Sequence, residues 1–526
     1  MNKKTIFNLF LSCLSGILLA ISTQEGHLTL VAWFALAPLF YMIITLSEKS
    51  TLLEVALNSY LTGFIYFAKL HFWGNVFGIE VWLGITFILS FYFAIWGIFI
   101  ALIVKKIKLS DSKKIAVIAL SWVLFDYFRS LGTIGMNWGS IAYTQYKMLP
   151  LIQIVSITGI YGVTFLMALF SSITASKVKW LIENKYQIKT MPKYLKIYII
   201  SILMLLVILS LLGYKHIEND KKQTGRTIKI SLIQPSIDMD TKNRAMRKGD
   251  SEKITQIINE MKDMTYKAAE EKPDIIFWAE TSFPIPFGYQ NVAENYISSI
   301  AKSIKIPIVA GAIEITPDKK FRNSAFLFDA CGEIKGKYSK RRLVPFGEYL
   351  PLPEEAKKWK VFERVQDLIP GETLSQFKLN DINFATLICF ESDFGEYSAQ
   401  EVRAGAEFIS IITNDGWFEN HPVAEHHISW NVFRAVENHA NLVQTANSGI
   451  SAYIDYNGNI TAKEGLFKKT ILTKNITLLK AGTFYSRYGD VFIYLTIVSF
   501  IILLFPNMKK SSGKDRVSAG KRKKIK

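Results

Sequence analysis

The chain has 526 residues, half of them hydrophobic and only 20% charged, with 62 Lys and Arg against 44 Asp and Glu, a formal charge of +18. That balance excludes a disordered chain or a coiled coil. Three cysteines, Cys13, Cys331 and Cys389, give neither a disulfide framework nor the paired spacing of a zinc site, so any cysteine that matters does so singly.

Apolar runs close to the roughly 20 residues that a helix needs to cross a bilayer fill the first part of the chain. They are Thr5 to Ser22, Leu28 to Leu46, Leu52 to Ala68, Val81 to Val104, Ile115 to Phe128, Leu151 to Ala175 and Ile197 to Leu212. An eighth, Val491 to Phe505, follows a long stretch of mixed sequence. The chain therefore divides into a seven-helix transmembrane domain (1–215), an α/β domain (226–482), a C-terminal transmembrane helix (488–507) and a basic tail (508–526). Met1 to Ser22 reads as a first span and not a cleaved signal peptide, because no small-residue cleavage site precedes polar sequence and six more apolar runs follow. Cys13 is then a buried helix residue.

Lys and Arg fix the expected orientation, since positively charged loops stay cytoplasmic. Lys3 and Lys4 precede the first run, Lys49 follows the second, Lys105, Lys106, Lys108, Lys113 and Lys114 follow the fourth, and Lys177 to Lys196 follow the sixth. The opposite turns, Gln24 to His27 and Trp73 to Glu80, carry none, and Arg129 to Pro150 has only Arg129 and Lys147. Seven crossings put the α/β domain outside, and the eighth returns the tail to the cytoplasm, so both termini lie inside. Much of the positive charge is thus topological and needs no nucleic-acid partner, although a basic tail also suits anionic headgroups.

Between Thr227 and Gly482, short β-rich runs alternate with helical patterns. The strand candidates are Ile228 to Gln234, Ile275 to Ala279, Ile306 to Ile315, Ser324 to Asp329, Phe384 to Phe390, Phe408 to Thr413, Leu442 to Ala446 and Ala452 to Tyr456. Ile254, Ile257, Ile258, Met261 and Met264 make an amphipathic helix of Asp250 to Glu271. Ala330 to Glu333 and Tyr456 to Asn459 read as hairpin turns, with Cys331 an inert turn residue.

Cys389 ends an apolar strand, and open α/β sheets place their sites at strand ends. On the strand alone it is a small buried hydrophobe, the commonest fate of a lone cysteine. Nearby acids, Glu391, Asp393 and Glu396, would raise its thiol pKa, so a catalytic role needs a partner. Two segments offer one. The strand Ile275 to Ala279 terminates in Glu280, a solvated carboxylate or a general base for a thiol. The run Tyr338 to Tyr349 carries Lys340, either a surface cation or an ammonium that stabilises thiolate and oxyanion.

Glu280, Lys340 and Cys389, in that order and about 60 and about 50 residues apart, resemble the Glu-Lys-Cys triad of the nitrilase superfamily. Tyr338-x-Lys340-x-x-Leu343-Val344-Pro345-Phe346-Gly347-Glu348-Tyr349 and the flanking helices are similar to the apolipoprotein N-acyltransferases, its membrane-embedded branch. Thr413 to Phe418, Arg434-Ala435-x-Glu437-Asn438 and Asn447-Ser448-Gly449 add to the match. The resemblance implies a nitrilase-like αββα sandwich on about eight transmembrane helices. It implies Glu280 as general base, Lys340 as oxyanion stabiliser, Cys389 as acylated nucleophile, and Glu348 and Glu391 as supporting carboxylates. It further implies ping-pong transfer of an acyl chain from a phospholipid, phosphatidylethanolamine foremost, to the α-amino group of diacylglyceryl-cysteine on an apolipoprotein. The setting implied is the bacterial inner membrane, with the catalytic domain periplasmic and no cofactor or metal. Two departures stand near the triad: Phe390 replaces the Tyr common in relatives, and a Trp familiar near the start of the domain is absent from Gln234 to Arg247.

Phe346, Leu350, Pro351, Leu352, Trp359 and Phe362 are expected either as an apolar mouth dipping into the leaflet or as a packed loop. His421, His426 and His427 cluster without a metal-binding helix pattern and read as loop or cleft packing. The competing functions are a membrane-anchored amidase hydrolysing a small amide, and a non-catalytic membrane scaffold or transporter. Against transport, few charges lie within the apolar runs, Glu54, Lys69 and Asp126 being the notable ones, with Asp126 and Arg129 readable as an interfacial pair. A monomer is expected.

Overall fold

The computed structural model describes residues 3–23, 27–46, 50–187, 190–288, 291–357, 367–418 and 422–505. The basic tail 508–526, Trp359, Phe362 and His421 lie outside them. All eight apolar runs fold as helix, whole or in pieces. Lys3–Ser22, Leu52–Leu70, Ile79–Lys106, Asp111–Ser130, Ile160–Glu183 and Lys193–Asp220 are continuous. Two runs are broken. Leu28 to Leu46 becomes short turns before Ala37–Ile44, with Pro38 in the first turn of that piece, where no amide donor is required. Leu151 to Ala175 breaks at Gly159, whose φ of 61° suits glycine and whose missing Cβ would meet the Tyr485 ring at 2.6 Å.

By length and apolar composition, Lys3–Ser22, Ile79–Lys106, Ile160–Glu183 and Lys193–Asp220 can each cross a membrane, while Thr29–Ile44, Leu149–Thr158 and Val491–Phe505 are shorter apolar helices. Small polar residues stitch the bundle where apolar attraction between helices is weak. Ser12 Oγ donates to Asn58 Oδ1 at 3.1 Å, and Thr62 Oγ1 to the Ser12 carbonyl at 3.1 Å. Close approach there depends on Gly16, since a Cβ would lie 2.8 Å from the Thr62 carbonyl oxygen. Lys193–Asp220 is the outlier, burying only Leu195, Ile202, Gly213 and Asp220, packing one stripe that includes Ile199, Leu206 and Leu209 on the core, and turning Ile200, Leu203, Met204, Val207, Leu211 and Leu212 outward.

The α/β domain is two six-stranded sheets. One has the order β12-β1-β2-β3-β4-β5, formed by β1 (Arg226–Gln234), β2 (Ile275–Trp278), β3 (Ile308–Ile315), β4 (Phe321–Phe328), β5 (Ile334–Ser339) and β12 (Thr470–Leu478). The other has the order β11-β10-β9-β8-β7-β6, formed by β6 (Phe377–Leu379), β7 (Ile382–Ile388), β8 (Phe408–Thr413), β9 (Asn441–Ala446), β10 (Ala452–Ile454) and β11 (Ile460–Lys463). β1, β2 and β3 run parallel, as do β7, β8 and β9, with antiparallel flanks. Phe277, Phe384 and Phe408 from both sheets meet in the interface between them. Helices such as Ser251–Glu270 and Val292–Ile304 cover the first sheet's outer face, giving the expected nitrilase-like layering.

Thr23, Trp73, Asn137 and Asp220 all contact the α/β domain. Lys4 and Lys105 instead meet Ser50 at the bundle's other end. The Arg129 to Pro150 connection is the mount. Arg129 pairs with Asp126 at 2.7 Å, both buried, and donates to the Met136, Trp138 and Asn137 carbonyls, while Ser140 Oγ donates to Asp126 at 2.6 Å. The loop so shaped presents the Asn137 and Trp138 amides to Asp393 Oδ2 at 2.8 and 2.9 Å.

If the outward face of Lys193–Asp220 meets lipid, Leu203→Arg costs about 3 kcal/mol of insertion free energy and lowers the alkali-resistant, membrane-integrated fraction, whereas Leu203→Ala does not. An unchanged fraction for the Arg variant contradicts the lipid-facing assignment.

Candidate active site

Parallel strands deliver their C-terminal ends to one place. Glu280 follows β2, Lys340 follows β5, Cys389 follows β7, and Asn414 and Asp415 follow β8. Cys389 lies one residue beyond the strand, opening a 3₁₀ turn, Cys389–Asp393, with φ 54°. A left-handed conformation at a residue with a Cβ is strained and persists only where surroundings enforce it. Glu391 does so. Wholly buried, it accepts from the Ile388 amide at 2.8 Å, the Arg341 and Arg342 amides at 2.7 and 3.1 Å, and the Tyr338 hydroxyl at 2.7 Å. One carboxylate thus ties the nucleophile turn to the strand end that carries Lys340.

Lys340 is 1% exposed, and a buried ammonium must be paired. Its Nζ lies 2.9 Å from Glu348 and 3.7 Å from Glu280 Oε1. Burial disfavours its charge, but Glu348 and Glu280 more than offset this, so its pKa is raised and the ammonium persists. Asn323 Nδ2 donates to both carboxylates, 2.7 Å to Glu280 and 3.0 Å to Glu348. The Asn414 amide donates to Glu280 Oε2 at 2.8 Å, and the Val344 amide to Glu348 Oε2 at 2.9 Å. Glu280 keeps one oxygen toward Asn323 and Lys340 and the other toward the end of β8.

Burial pushes the Cys389 thiol well up, Glu280 and Asp415 add to this, and Lys340 opposes it. The carboxylates that raise it are therefore not Glu391, Asp393 or Glu396, as the sequence suggested: Glu391 and Asp393 are engaged by amides and other donors. The raised pKa favours the protonated thiol, with a carboxylate and an ammonium nearby, an arrangement suited to acyl chemistry in which a base acts as the nucleophile attacks.

The supporting layer links the site to the bundle. Tyr143 hydroxyl and Arg434 donate to the Asp393 carbonyl at 2.9 and 3.1 Å. Arg434 also donates to Glu437 at 3.0 Å, and Glu437 accepts the Ile160 amide at 3.1 Å. The Arg434/Glu437 motif thus mounts the domain. His427 bridges Asp415 and Ser392 and approaches the Cys389 carbonyl at 3.2 Å. His426 accepts from Trp138 Nε1 at 3.3 Å and faces the Thr23 carbonyl at 3.0 Å, so the described histidines of that cluster serve packing and docking. Asn447 donates to Asn414 Oδ1 and the Ile237 carbonyl, pinning the loop after β1. Phe390 is buried against Phe394.

Of the expected mouth, Phe346 is 44% exposed with φ 62°, but Leu350 is buried, turned inward by the loop, and is no mouth residue. Sequence reasoning missed Asn323. Its signal was the polar triplet Arg322-Asn323-Ser324 at the start of an otherwise apolar strand. It also missed Lys242, a buried lysine donating to Thr281 Oγ1 at 2.8 Å, whose pKa burial lowers to about 8.

With the thiol pKa raised, the thiolate fraction is small at neutral pH and grows about tenfold per pH unit. Alkylation of Cys389 by iodoacetamide, followed by mass spectrometry, is expected to keep accelerating past about pH 9; a plateau below about pH 7 contradicts a resting thiol.

Residues 15–173 match the family described as the apolipoprotein N-acyltransferase N-terminal domain, and residues 229–484 match carbon-nitrogen hydrolase. An apolipoprotein N-acyltransferase of Geobacter metallireducens is 31% identical over 94% of both chains. Apolipoprotein N-acyltransferase 1 of Treponema denticola is 30% identical over 96% of this chain and 98% of its own. Among solved structures, the chain is similar to a Saccharomyces cerevisiae protein of branch 10 of the nitrilase superfamily, at 18% identity and TM-score 0.37, over 48% of this chain and 91% of that one. Identity at the level of the first two relatives, sustained across helices and sheets alike, makes this chain a member of the apolipoprotein N-acyltransferase family, within the nitrilase superfamily.

Proposed function

We propose that the protein transfers a fatty acyl chain from a phospholipid to the α-amino group of the diacylglyceryl-cysteine that begins an apolipoprotein, through a thioester on Cys389. The observation that carries this reading is the convergence of Glu280, Lys340 and Cys389 where the α/β domain is mounted on an apolar helix bundle. A soluble substrate would need no such mount; two lipid substrates do, because an acyl chain leaving the bilayer for water loses about 0.8 kcal/mol per CH₂.

In the first half-reaction, Glu280 takes the Cys389 proton as sulfur attacks the ester carbonyl, and the oxyanion develops beside Lys340. Collapse breaks the C–O bond. The leaving alkoxide receives the proton from Glu280 and departs as lysophospholipid. In the second, the lipoprotein amine attacks the thioester, Glu280 takes its proton, collapse breaks the C–S bond, and Glu280 returns the proton to the departing sulfur, regenerating thiol and carboxylate. Glu348 and Asn323 hold Lys340 and Glu280 in place, and Glu391 holds the turn that presents sulfur.

Charge partition supports eight crossings of the bacterial cytoplasmic membrane, with the catalytic domain periplasmic and both termini cytoplasmic. Phosphatidylethanolamine is the donor of choice. The seam between bundle and domain holds a small cavity of about 50 Å³, lined by Leu70, Trp138, Tyr143 and Trp430 among others.

The test is product analysis in proteoliposomes containing phosphatidylethanolamine and a diacylated lipopeptide. Triacylated lipopeptide and lysophospholipid are expected in equal amounts, falling at least about a thousandfold in Cys389→Ser and Glu280→Gln. Release of free fatty acid without lipopeptide acylation assigns the chain to hydrolysis instead.

A further inference from the structure

Among the described residues, one group of metal-ligating side chains lies apart from the reaction site: His216, Asp220 and His439. His216 and Asp220 are four residues apart, on one face at the end of the helix Lys193–Asp220. His439 caps the helix Val423–Asn438 in the α/β domain with φ 47°, which turns the chain at that point. The three therefore join the last helix before the α/β domain to the domain itself.

We propose that these residues form a site for a divalent transition metal, zinc by ligand chemistry, with solvent as fourth ligand. Two imidazoles and one carboxylate form a borderline donor set that suits zinc better than calcium or magnesium, which take oxygen. Both Nε2 atoms converge on one oxygen, Asp220 Oδ2, at 3.5 Å from His216 and 3.0 Å from His439. Ligands about 2.0–2.1 Å from a tetrahedral zinc lie about 3.3–3.4 Å from one another, a spacing that the two separations bracket. The ligand atoms all lie within 4.8 Å of one another, and the His216 side chain is 46% exposed.

The surroundings fit a built site. Asp220 is almost wholly buried, and Gln223 Nε2 donates to its other oxygen at 2.8 Å, orienting Oδ2 toward the imidazoles as outer partners of metal ligands do. Asp455, on the neighbouring hairpin turn, lies within electrostatic range of Asp220 and adds negative potential. Exposure of His216 leaves an entry path. The role would be mechanical. Lys193–Asp220 buries only four residues, so it is the least anchored of the long helices, and a metal would clip its end to the helix bearing His427 and Arg434.

The test uses the full-length protein, purified without a polyhistidine tag, reconstituted in nanodiscs, stripped with EDTA and dialysed. Zinc chloride titration against a chromogenic chelator is expected to give one tight site per chain and a raised Tm. Affinity should fall at least about tenfold in His439→Ala and in Asp220→Asn but not in Cys331→Ser. In unmodified protein, cobalt chloride should give a tetrahedral d–d spectrum without thiolate charge transfer, a readout that does not depend on variants folding. Absence of stoichiometric zinc, or zinc affinity unchanged in the His216→Ala/His439→Ala double variant, overturns the site.

Discussion

A positive charge sealed inside an α/β sandwich sets the terms for everything around it. Lys340 is almost without solvent, so its ammonium needs partners, and Glu348 and Glu280 supply them. Removing one partner of such a group costs about 3–5 kcal/mol, because the remaining charge is left uncompensated. The two carboxylates are in turn bridged by Asn323 and fixed by the Asn414 and Val344 amides. The ends of β2, β5 and β8 are thereby locked at one point, with a carboxylate and an ammonium held in fixed positions near Cys389.

The nucleophile turn performs a second task. Its first residue is Cys389, and its last is Asp393, held by amides of a loop that the Asp126–Arg129 pair shapes at the end of a bundle helix. Asp393 is buried, which pushes its carboxyl up to about 6 against the pull of Arg434, Arg129 and the loop amides. Five residues therefore relate the reactive sulfur to the bundle. A nitrilase-like domain is here joined to an apolar helix bundle through this contact and the Arg434–Glu437 mount.

How much of this the sequence disclosed depends on what each residue's role requires. Glu280, Lys340 and Cys389 were legible because each ends a strand or a recognisable motif, and β2 and β8 were found nearly to the residue. β5, β6, β11 and β12 were missed. They are the edge strands of the two sheets, with polar or half-exposed faces such as Ile334-Lys335-Gly336-Lys337 that break the apolar pattern of the central strands. Asn323 stands in a polar triplet that the sequence shows, but only the β4–β5 register sets it opposite Lys340. The break at Gly159 follows from packing against Tyr485, more than 300 residues away, which no local periodicity encodes. Asp393, read as a neighbour of the thiol, proved to be a docking residue because the turn directs its side chain away.

In the proposed reaction Cys389 carries the acyl group between two lipids. That role is tested most directly by intact-protein mass spectrometry after incubation with phosphatidylethanolamine in the absence of acceptor. A mass increase of one fatty-acyl chain is expected, which hydroxylamine removes, which is absent in Cys389→Ala, and which moves to a diacylated lipopeptide when that is added. Protein that turns over lipopeptide while never carrying an adduct contradicts it.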